Sequence, residues 1–281
     1  MTKEIRSVIA KALTACLIAG AASAAHSASR DDFPTCYGML GGSAEMKQAE
    51  RELFVVIDQT LIFNLDLKRH VHNKVHEYLR PGDRITVLTF SAYAEGRYSQ
   101  MPLTGKLDHT LSEEDRFNTG KTALRKFDQC MERQKAFVRG KVDQVLKTAF
   151  EEASTDLPKT ELMGSLVNFG QGVISASQSP RKAVLLASDM MENSAVVSFY
   201  GNGGINNLDI DTTLSTTKKA NLLSNMGNAT VNVVGAGISG NQGYLSQTAM
   251  QNMQDFWTRY FEQSNATLAG WGQPQLFGPI Q

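Results

Sequence analysis

Short apolar runs that favour buried strands alternate along the chain with longer stretches whose apolar residues recur at helical spacing. The predicted strands cover residues 53–58, 84–91, 182–188 and 229–235, with weaker candidates at 97–103 and 266–271. The predicted helices cover residues 62–79, 122–152, 160–176, 218–226 and 246–263. Strands that alternate with helices favour a mostly parallel sheet with helices on both faces. The sequence therefore predicts a doubly wound α/β domain.

Polar side chains stand at the ends of two of these apolar runs. Asp58 and Thr60 follow the first strand, Asp189 follows the third, and Thr160 opens the third helix. Because ligands of open α/β sheets bind beyond the carboxyl ends of the strands, we expect these four residues to converge there. Two carboxylates and two hydroxyls form a hard oxygen site, which suits Mg²⁺ or Mn²⁺ better than a soft metal.

The same residues also allow an interpretation without a metal. Asp58 and Asp189 would then cap helix N-termini, where a carboxylate contributes about 0.3–1 kcal/mol. Thr160 would be an N-cap residue, a position that threonine often occupies. Acid–base chemistry by the two aspartates is a third interpretation, but no further group in the sequence clearly completes such a site.

The composition fits one large domain without a nucleic-acid partner. Roughly 250 residues remain after a leader, a length typical of a single α/β domain. Lys and Arg total 28, and Asp and Glu also total 28. A nucleic-acid-binding domain would favour a basic surplus, and the whole chain has none.

The first 24 residues have the pattern of a secretory signal peptide. Lys3, Arg6 and Lys11 accompany an apolar stretch at residues 12–22, and small residues up to Ala24 form a cleavage site. The apolar stretch of about 11 residues is too short to span a bilayer, and no later segment reaches about 18 apolar residues. We expect a periplasmic or secreted mature chain with no integral membrane segment.

Two cysteines, Cys36 and Cys130, remain once the leader is removed. An even number of cysteines in an exported chain permits one disulfide. The bond would join the segment before the first strand to the long helix at 122–152. Two free thiols are the alternative.

Two further patterns look like sites but favour ordinary structure. The glycines at residues 235–240 have the spacing of a dinucleotide fingerprint, yet turn-forming residues follow where a helix should begin, so a turn is expected. His70, His72 and His76 lie on the first helix, and the last two share a face, as zinc ligands can. Positive residues such as Lys74 oppose a cation there, so a solvated helix face is expected.

The polar residues at the strand ends resemble the metal ion-dependent adhesion site (MIDAS) of von Willebrand factor type A (vWA) domains. That site combines an Asp-x-Ser-x-Ser run after the first strand, a Thr in a later loop and an Asp after a central strand. Asp58 and Thr60 match the first two positions of the run, and Thr160 and Asp189 match the other elements. The third position of the run is Ile62, so one hydroxyl ligand is missing and the site resembles a degenerate MIDAS.

The resemblance implies a Rossmann-like vWA fold over residues 49–272. A signal peptide (1–24), an N-terminal extension (25–48) and a C-terminal tail (273–281) would flank this domain. Insertions at about 104–155 and 193–215 would shape its binding surface.

The resemblance also implies a function. Thr60 and Thr160 would touch Mg²⁺ or Mn²⁺, and Asp58 and Asp189 would act directly or through water. An open coordination position would take an acidic side chain from another protein. We therefore expect an exported protein-binding module that is not an enzyme. The alternatives are a metal-free scaffold subunit of an envelope assembly of the secretion, conjugation or pilus type, which Ile62 favours, and a metal-dependent hydrolase.

Overall fold

The computed structural model describes residues 30–91, 99–154, 160–200, 204–238 and 245–280. The predicted signal peptide lies outside these residues. Within them, no helix combines the length and the apolar character needed to cross a membrane.

One six-stranded sheet forms the centre of the domain. Its strands are β1 (Arg51–Asp58), β2 (Arg84–Phe90), β3 (Ser99–Lys106), β4 (Arg181–Ala187), β5 (Ala229–Val234) and β6 (Ala266–Trp271). Their order in space is β3-β2-β1-β4-β5-β6. Of these strands, β3 at one edge is antiparallel to its neighbour, and the others pair in parallel. This is the strand order of doubly wound Rossmann-like sheets, so the predicted fold class is confirmed.

Helices cover both faces of the sheet. They are α1 (Leu65–Tyr78), α2 (Glu113–Asn118), α3 (Lys121–Glu151), α4 (Leu162–Phe169), α5 (Ile210–Lys219) and α6 (Gln247–Gln263). A π-helical segment, Gly170–Ile174, continues α4. Side chains of α1 and α3 form the core on one face of the sheet, and side chains of α4, α5 and α6 form the core on the other.

Strand β1 contributes to both cores. Phe54 and Val56 pack with α4 and α6, whereas Val55 and Ile57 pack with α1 and α3. Successive side chains of a strand point to opposite faces, so a strand that is covered on both faces must be apolar throughout. Because β1 lies between β2 and β4, its last residue, Asp58, is at the middle of the carboxyl edge of the sheet.

One predicted helix is wrong in position. A helix was expected at residues 218–226, but the structure has α5 at Ile210–Lys219. The Asp209 side chain caps this helix by accepting a hydrogen bond from the Thr212 N–H at 3.0 Å. The helix ends before Asn221, whose backbone is left-handed with φ of 57°. Helix α5 therefore begins inside the region predicted as an insertion at 193–215.

A disulfide joins Cys36 to Cys130, as the sequence permits. It connects the segment before β1 to α3. A small separate core surrounds the bond, and in it the rings of Tyr37 and Phe127 meet edge to face at 5.6 Å between centroids.

Candidate functional site

A linked set of oxygen atoms lies at the carboxyl end of β1. Asp58 is fully buried, and its Oδ1 accepts hydrogen bonds from the Thr60 N–H (2.9 Å) and the Thr60 hydroxyl (2.6 Å). The hydroxyls of Thr60 and Thr160 are 3.0 Å apart, although these residues are 100 positions apart in sequence. Three of the four predicted site residues therefore lie in one hydrogen-bonded chain.

Ser188 belongs to the same set, and the sequence analysis missed it. Its hydroxyl donates to Oδ2 of Asp58 at 2.8 Å and accepts a hydrogen bond from the Met190 N–H at 3.0 Å. The register explains this placement, because Ile57 of β1 lies opposite Ala187 of β4 and the next residues are Asp58 and Ser188. A parallel pairing of the first and third predicted strands would have indicated it.

Asp189 is buried, and the charge of the buried Asp58 acts on it. Burial, together with the charge of Asp58, raises the pKa of Asp189 well above its usual value. Burial also raises the pKa of Asp58, although hydrogen bonds from Thr60 and Ser188 act in the opposite direction. Two buried carboxyl groups that interact in this way resist carrying charge together. We call Asp58, Thr60, Thr160, Ser188 and Asp189 the sheet-edge site.

A strained backbone holds Asp189 in place. Met190 is left-handed, with φ of 65°, a conformation that costs a non-glycine residue about 1–3 kcal/mol. The indole N–H of the buried Trp257 donates to the Met190 carbonyl at 2.9 Å, and the Asp189 carboxylate accepts from the Met191 N–H at 2.9 Å. Helix α6 therefore fixes the turn that presents Asp189.

The loop after Asp189 also positions Thr160. The Asn193 N–H donates to the Thr160 carbonyl at 2.9 Å. Buried Glu192 accepts a hydrogen bond from the Met163 N–H at 2.9 Å and so caps the first turn of α4. Burial raises the pKa of Glu192 to about 7, against the opposing effect of that hydrogen bond. The two loops of the sheet-edge site therefore behave as one unit.

The interpretation of these residues as helix caps is wrong. The N-cap position of α4 is Glu161, not Thr160, and the Thr160 hydroxyl contacts Thr60 instead. The N-cap of α1 is Asn64, whose side chain accepts from the Leu67 N–H at 3.0 Å. Neither Asp58 nor Thr160 is therefore the N-cap of the helix that follows it.

Two further residues bear on the site. Ile62, at the third position of the run, is 56% exposed and carries no oxygen, so it supplies no ligand. Partial burial and the charges of Asp189 and Asp58 raise the pKa of the Tyr200 phenol, which places Tyr200 close to both carboxyl groups. The sequence analysis did not single out Tyr200.

The donor set fits a hard divalent cation. Carboxylate and hydroxyl oxygens are the protein ligands that Mg²⁺ and Mn²⁺ prefer. A divalent charge between Asp58 and Asp189 would also remove the repulsion that raises the pKa of Asp189. The residues present therefore match the chemistry of the predicted metal.

The glycine motif supports the sheet-edge site through its backbone. Gly235 and Gly237 have φ of 98° and 73°, and the Gly237 N–H donates to the Asp189 carbonyl at 2.9 Å. A Cβ on Gly237 would lie 2.0 Å from the Met250 methyl carbon. Residues 239–244, which complete the motif, lie outside the described part of the chain, and α6 begins only at Gln247. The described glycines form a turn after β5, as expected.

The expectation of a solvated histidine face on α1 is wrong. The His72 and His76 side chains are only 24% and 20% exposed, and both turn toward Asp143 of α3. His72 Nδ1 and His76 Nε2 lie 3.1 Å and 2.6 Å from Asp143 Oδ1. His70 points elsewhere, and its Nε2 accepts a hydrogen bond from the Leu276 N–H at 3.0 Å. We call His72, His76 and Asp143 the helix-pair site.

Comparisons with protein-family models and with curated proteins find no match for this chain. Solved structures show a general likeness. The mussel byssus proximal thread matrix protein 1 with a zinc-occupied MIDAS motif is 17% identical, with a TM-score of 0.35 over 73% of this chain and 39% of that chain. The pilus adhesin SpaC of Lactobacillus rhamnosus GG is 13% identical, with a TM-score of 0.38 over 76% and 28%. An aerotolerance-related membrane protein of Bacteroides fragilis is 11% identical, with a TM-score of 0.33 over 77% and 89%.

This chain thus spans about two fifths of the length of the mussel protein. All three TM-scores are below 0.5, so the fold class follows from the sheet order of the chain itself. That order is the one expected from the vWA resemblance, and the chain has a Rossmann-like, vWA-like α/β fold.

Proposed function

We propose that this domain is an exported protein-binding module whose sheet-edge site binds Mg²⁺ or Mn²⁺. One observation carries the proposal: two buried carboxyl groups, Asp58 and Asp189, lie together, and the charge of one raises the pKa of the other. A divalent cation would let both carboxylates ionise.

The hydroxyl groups would complete the cation's ligands. Thr60 donates to Asp58 and lies next to Thr160, but a hydroxyl can rotate and present a lone pair to an ion instead. Ser188 adds an oxygen that compensates for the hydroxyl missing at Ile62. A hard cation with an open position attracts a carboxylate, so an acidic side chain of a partner protein would bind there.

Export is supported by two independent features. The first 24 residues have the signal-peptide pattern, and Cys36 and Cys130 are joined by a disulfide. Disulfides persist in the periplasm and outside the cell, whereas cytosolic thiols stay reduced. The protein would therefore meet its partner in the periplasm or outside the cell.

Restoring the missing ligand tests the proposal. Calorimetric titration with Mn²⁺ should show at least a roughly tenfold loss of affinity in Asp58→Asn, because removing a direct ligand should matter at least as much as removing a supporting residue. Ile62→Ser should bind Mn²⁺ more tightly than the wild type, and Ile62→Ala is the matched control without a hydroxyl. Equal affinities in the wild type and Asp58→Asn would contradict the proposal.

A metal-free scaffold is the second candidate, and one observation favours it. Three hydrogen bonds from Thr60 and Ser188 already satisfy both oxygens of Asp58. The network can therefore stand without an ion. Partner binding that survives a chelator and also survives Asp189→Asn would select this candidate over the metal-dependent module.

A further inference from the structure

The helix-pair site has the composition of a transition-metal site. His72 and His76 are four residues apart on α1, so their rings project from the same face, and Asp143 approaches them from α3. One ligand atom from each residue lies within 4.8 Å of the other two. Two imidazoles and one carboxylate form the donor set of many three-residue zinc sites, in which water takes the fourth position.

We propose that His72, His76 and Asp143 bind Zn²⁺ and that the bound ion ties α1 to α3. This site is separate from the sheet-edge site and differs from it in chemistry. Imidazole nitrogens favour zinc and related transition metals, whereas Mg²⁺ and Mn²⁺ prefer oxygen ligands. The inference therefore does not depend on the proposed function.

The present contacts are close to those around a zinc ion. Tetrahedral zinc with bonds of about 2.0–2.2 Å separates its ligand atoms by about 3.3 Å. The two nitrogen-to-oxygen distances here are 3.1 Å and 2.6 Å. These two distances are shorter than the separation around zinc, so the side chains would move apart by less than about 1 Å to admit the ion.

An ion can reach the site from solvent. The Asp143 side chain is 46% exposed, while both histidines are half-buried and so hold fewer rotamers. Gly140 lies one turn before Asp143 and has no atom within 4 Å of the position of a Cβ. The open side leaves room for the fourth ligand.

The nearby positive charges are engaged elsewhere. Lys74 Nζ contacts Glu77 and the Gly278 carbonyl, and Arg69 pairs with Asp66. Lys68 Nζ lies 6.0 Å from the centre of the Phe150 ring. These contacts turn the basic side chains of α1 toward partners other than the helix-pair site.

Asp143 is placed to meet a cation, because its carboxylate contacts both histidine rings and is 46% exposed. Without a metal, the two rings and the carboxylate form a hydrogen-bonded cluster, which is the alternative that an experiment must separate from a metal site.

Zinc titration against a competing chromophoric chelator tests the inference on the purified protein. We expect His76→Gln and Asp143→Asn to weaken Zn²⁺ binding at least roughly tenfold. His109→Gln is the matched control, because His109 is remote from both sites and contacts the Gln48 carbonyl. Asp189→Asn controls for zinc bound at the sheet-edge site. Unchanged zinc affinity in His76→Gln would overturn the inference.

A spectroscopic measurement locates the ion without any substitution. Nitrogen NMR of the histidine rings should show Zn²⁺-dependent shifts at His72 Nδ1 and His76 Nε2, with no shift at His70. Rings that do not respond to Zn²⁺, or a response confined to His70, would overturn the inference. Loss of Mn²⁺ binding at the sheet-edge site would leave this result unaffected, so the two proposals fail separately.

Discussion

The sheet-edge site and the helix-pair site gather acidic side chains in opposite environments. Asp58 and Asp189 are buried, and their pKa values are raised. Asp143 is half exposed, and two histidines lower its pKa. Under the two proposals, a cation at the sheet edge would offset the repulsion between two buried carboxyl groups. At the helix pair, an ion would instead replace hydrogen bonds between the Asp143 carboxylate and two histidine rings.

The supporting structure differs in the same way. Trp257, Gly237 and Glu192 hold the loops of the sheet-edge site through buried hydrogen bonds. The helix-pair site depends on two helices that pack against each other and on three side chains. We therefore expect substitutions to change stability strongly around the sheet edge and weakly around the helix pair.

The largest expected effect is on global stability, and it comes from the disulfide, which lies outside both sites. The disulfide closes a loop of 94 residues, so Cys36→Ser with Cys130→Ser should lower the free energy of unfolding by about 4–5 kcal/mol. Guanidinium denaturation measures this loss. Neither cysteine belongs to a metal site, so the folded variant should keep its affinities for Mn²⁺ and Zn²⁺. A change in only one of these affinities would show that α3 couples the disulfide to that site.

Glu192 should make stability depend on pH. Its pKa rises from 4.5 unfolded to about 7 folded, so the folded state holds the proton more tightly. This contribution is fully present below pH 4.5 and is lost as the pH rises through about 7. The loss amounts to about 3 kcal/mol, at 1.36 kcal/mol for each pKa unit.

Urea denaturation of Glu192→Gln and of the wild type at several pH values tests this. The difference between their free energies of unfolding should shift by about 3 kcal/mol in favour of the variant between pH 4.5 and about pH 8. A difference that is independent of pH would contradict the buried, titrating Glu192. The pH dependence of the contribution of Asp143 to stability should have the opposite sign, since its lowered pKa adds stability that is lost as the pH falls.

The same substitution, aspartate to asparagine, can be made at both sites, and its effects on stability should differ in sign. Without metal, Asp189→Asn should raise the melting temperature at neutral pH, because an amide stays neutral beside Asp58 whereas a buried carboxyl group must hold a proton or a second charge there. Asp143→Asn should lower it, because the histidines lose their anionic partner. With Mn²⁺ at about 100 times the wild-type dissociation constant, the wild type should gain about 2.7 kcal/mol and Asp189→Asn at most about 1.4 kcal/mol. If both substitutions shifted the melting temperature of the metal-free protein in the same direction, the contrast between the two sites would be contradicted.

Single hydrogen bonds give the smallest effects. Ser188→Ala removes a buried donor to Asp58 and an acceptor for the Met190 N–H, so we expect a loss of about 1–3 kcal/mol. The metal-free protein should lose less than about 1 kcal/mol in His76→Gln, because ion pairs with an exposed partner contribute little. Chemical denaturation compares the two, and a larger loss in His76→Gln would contradict the ranking.

The sheet-edge site could be predicted because strand topology indicates which residues meet, even when they lie far apart in the sequence. Parallel strands end at one edge, so Asp58 and Asp189 could be placed together from strand order, whereas Thr160 was placed by the start of the third predicted helix and by the vWA resemblance. Ser188 was missed because a serine at a strand end is common, and only the register of β1 with β4 sets it beside Asp58.

The helix-pair site could not be predicted in that way. Asp143 lies 67 positions after His76, on a long helix with many charged residues, and nothing in its local pattern distinguishes it. Only the packing of α3 against α1 selects it. The prediction misplaced helix α5 for a related reason. The apolar pattern at residues 218–226 is weak, and the Asp209 cap starts the helix earlier in the chain.

Manganese binding tests the central claim most directly. Electron paramagnetic resonance can count free Mn²⁺ in the wild type, Asp189→Asn and Asp143→Asn, which make the same chemical change at the two sites. The account predicts one Mn²⁺ bound equally by the wild type and Asp143→Asn, and at least roughly tenfold weaker binding by Asp189→Asn. Mn²⁺ binding that is unchanged in Asp189→Asn would contradict it.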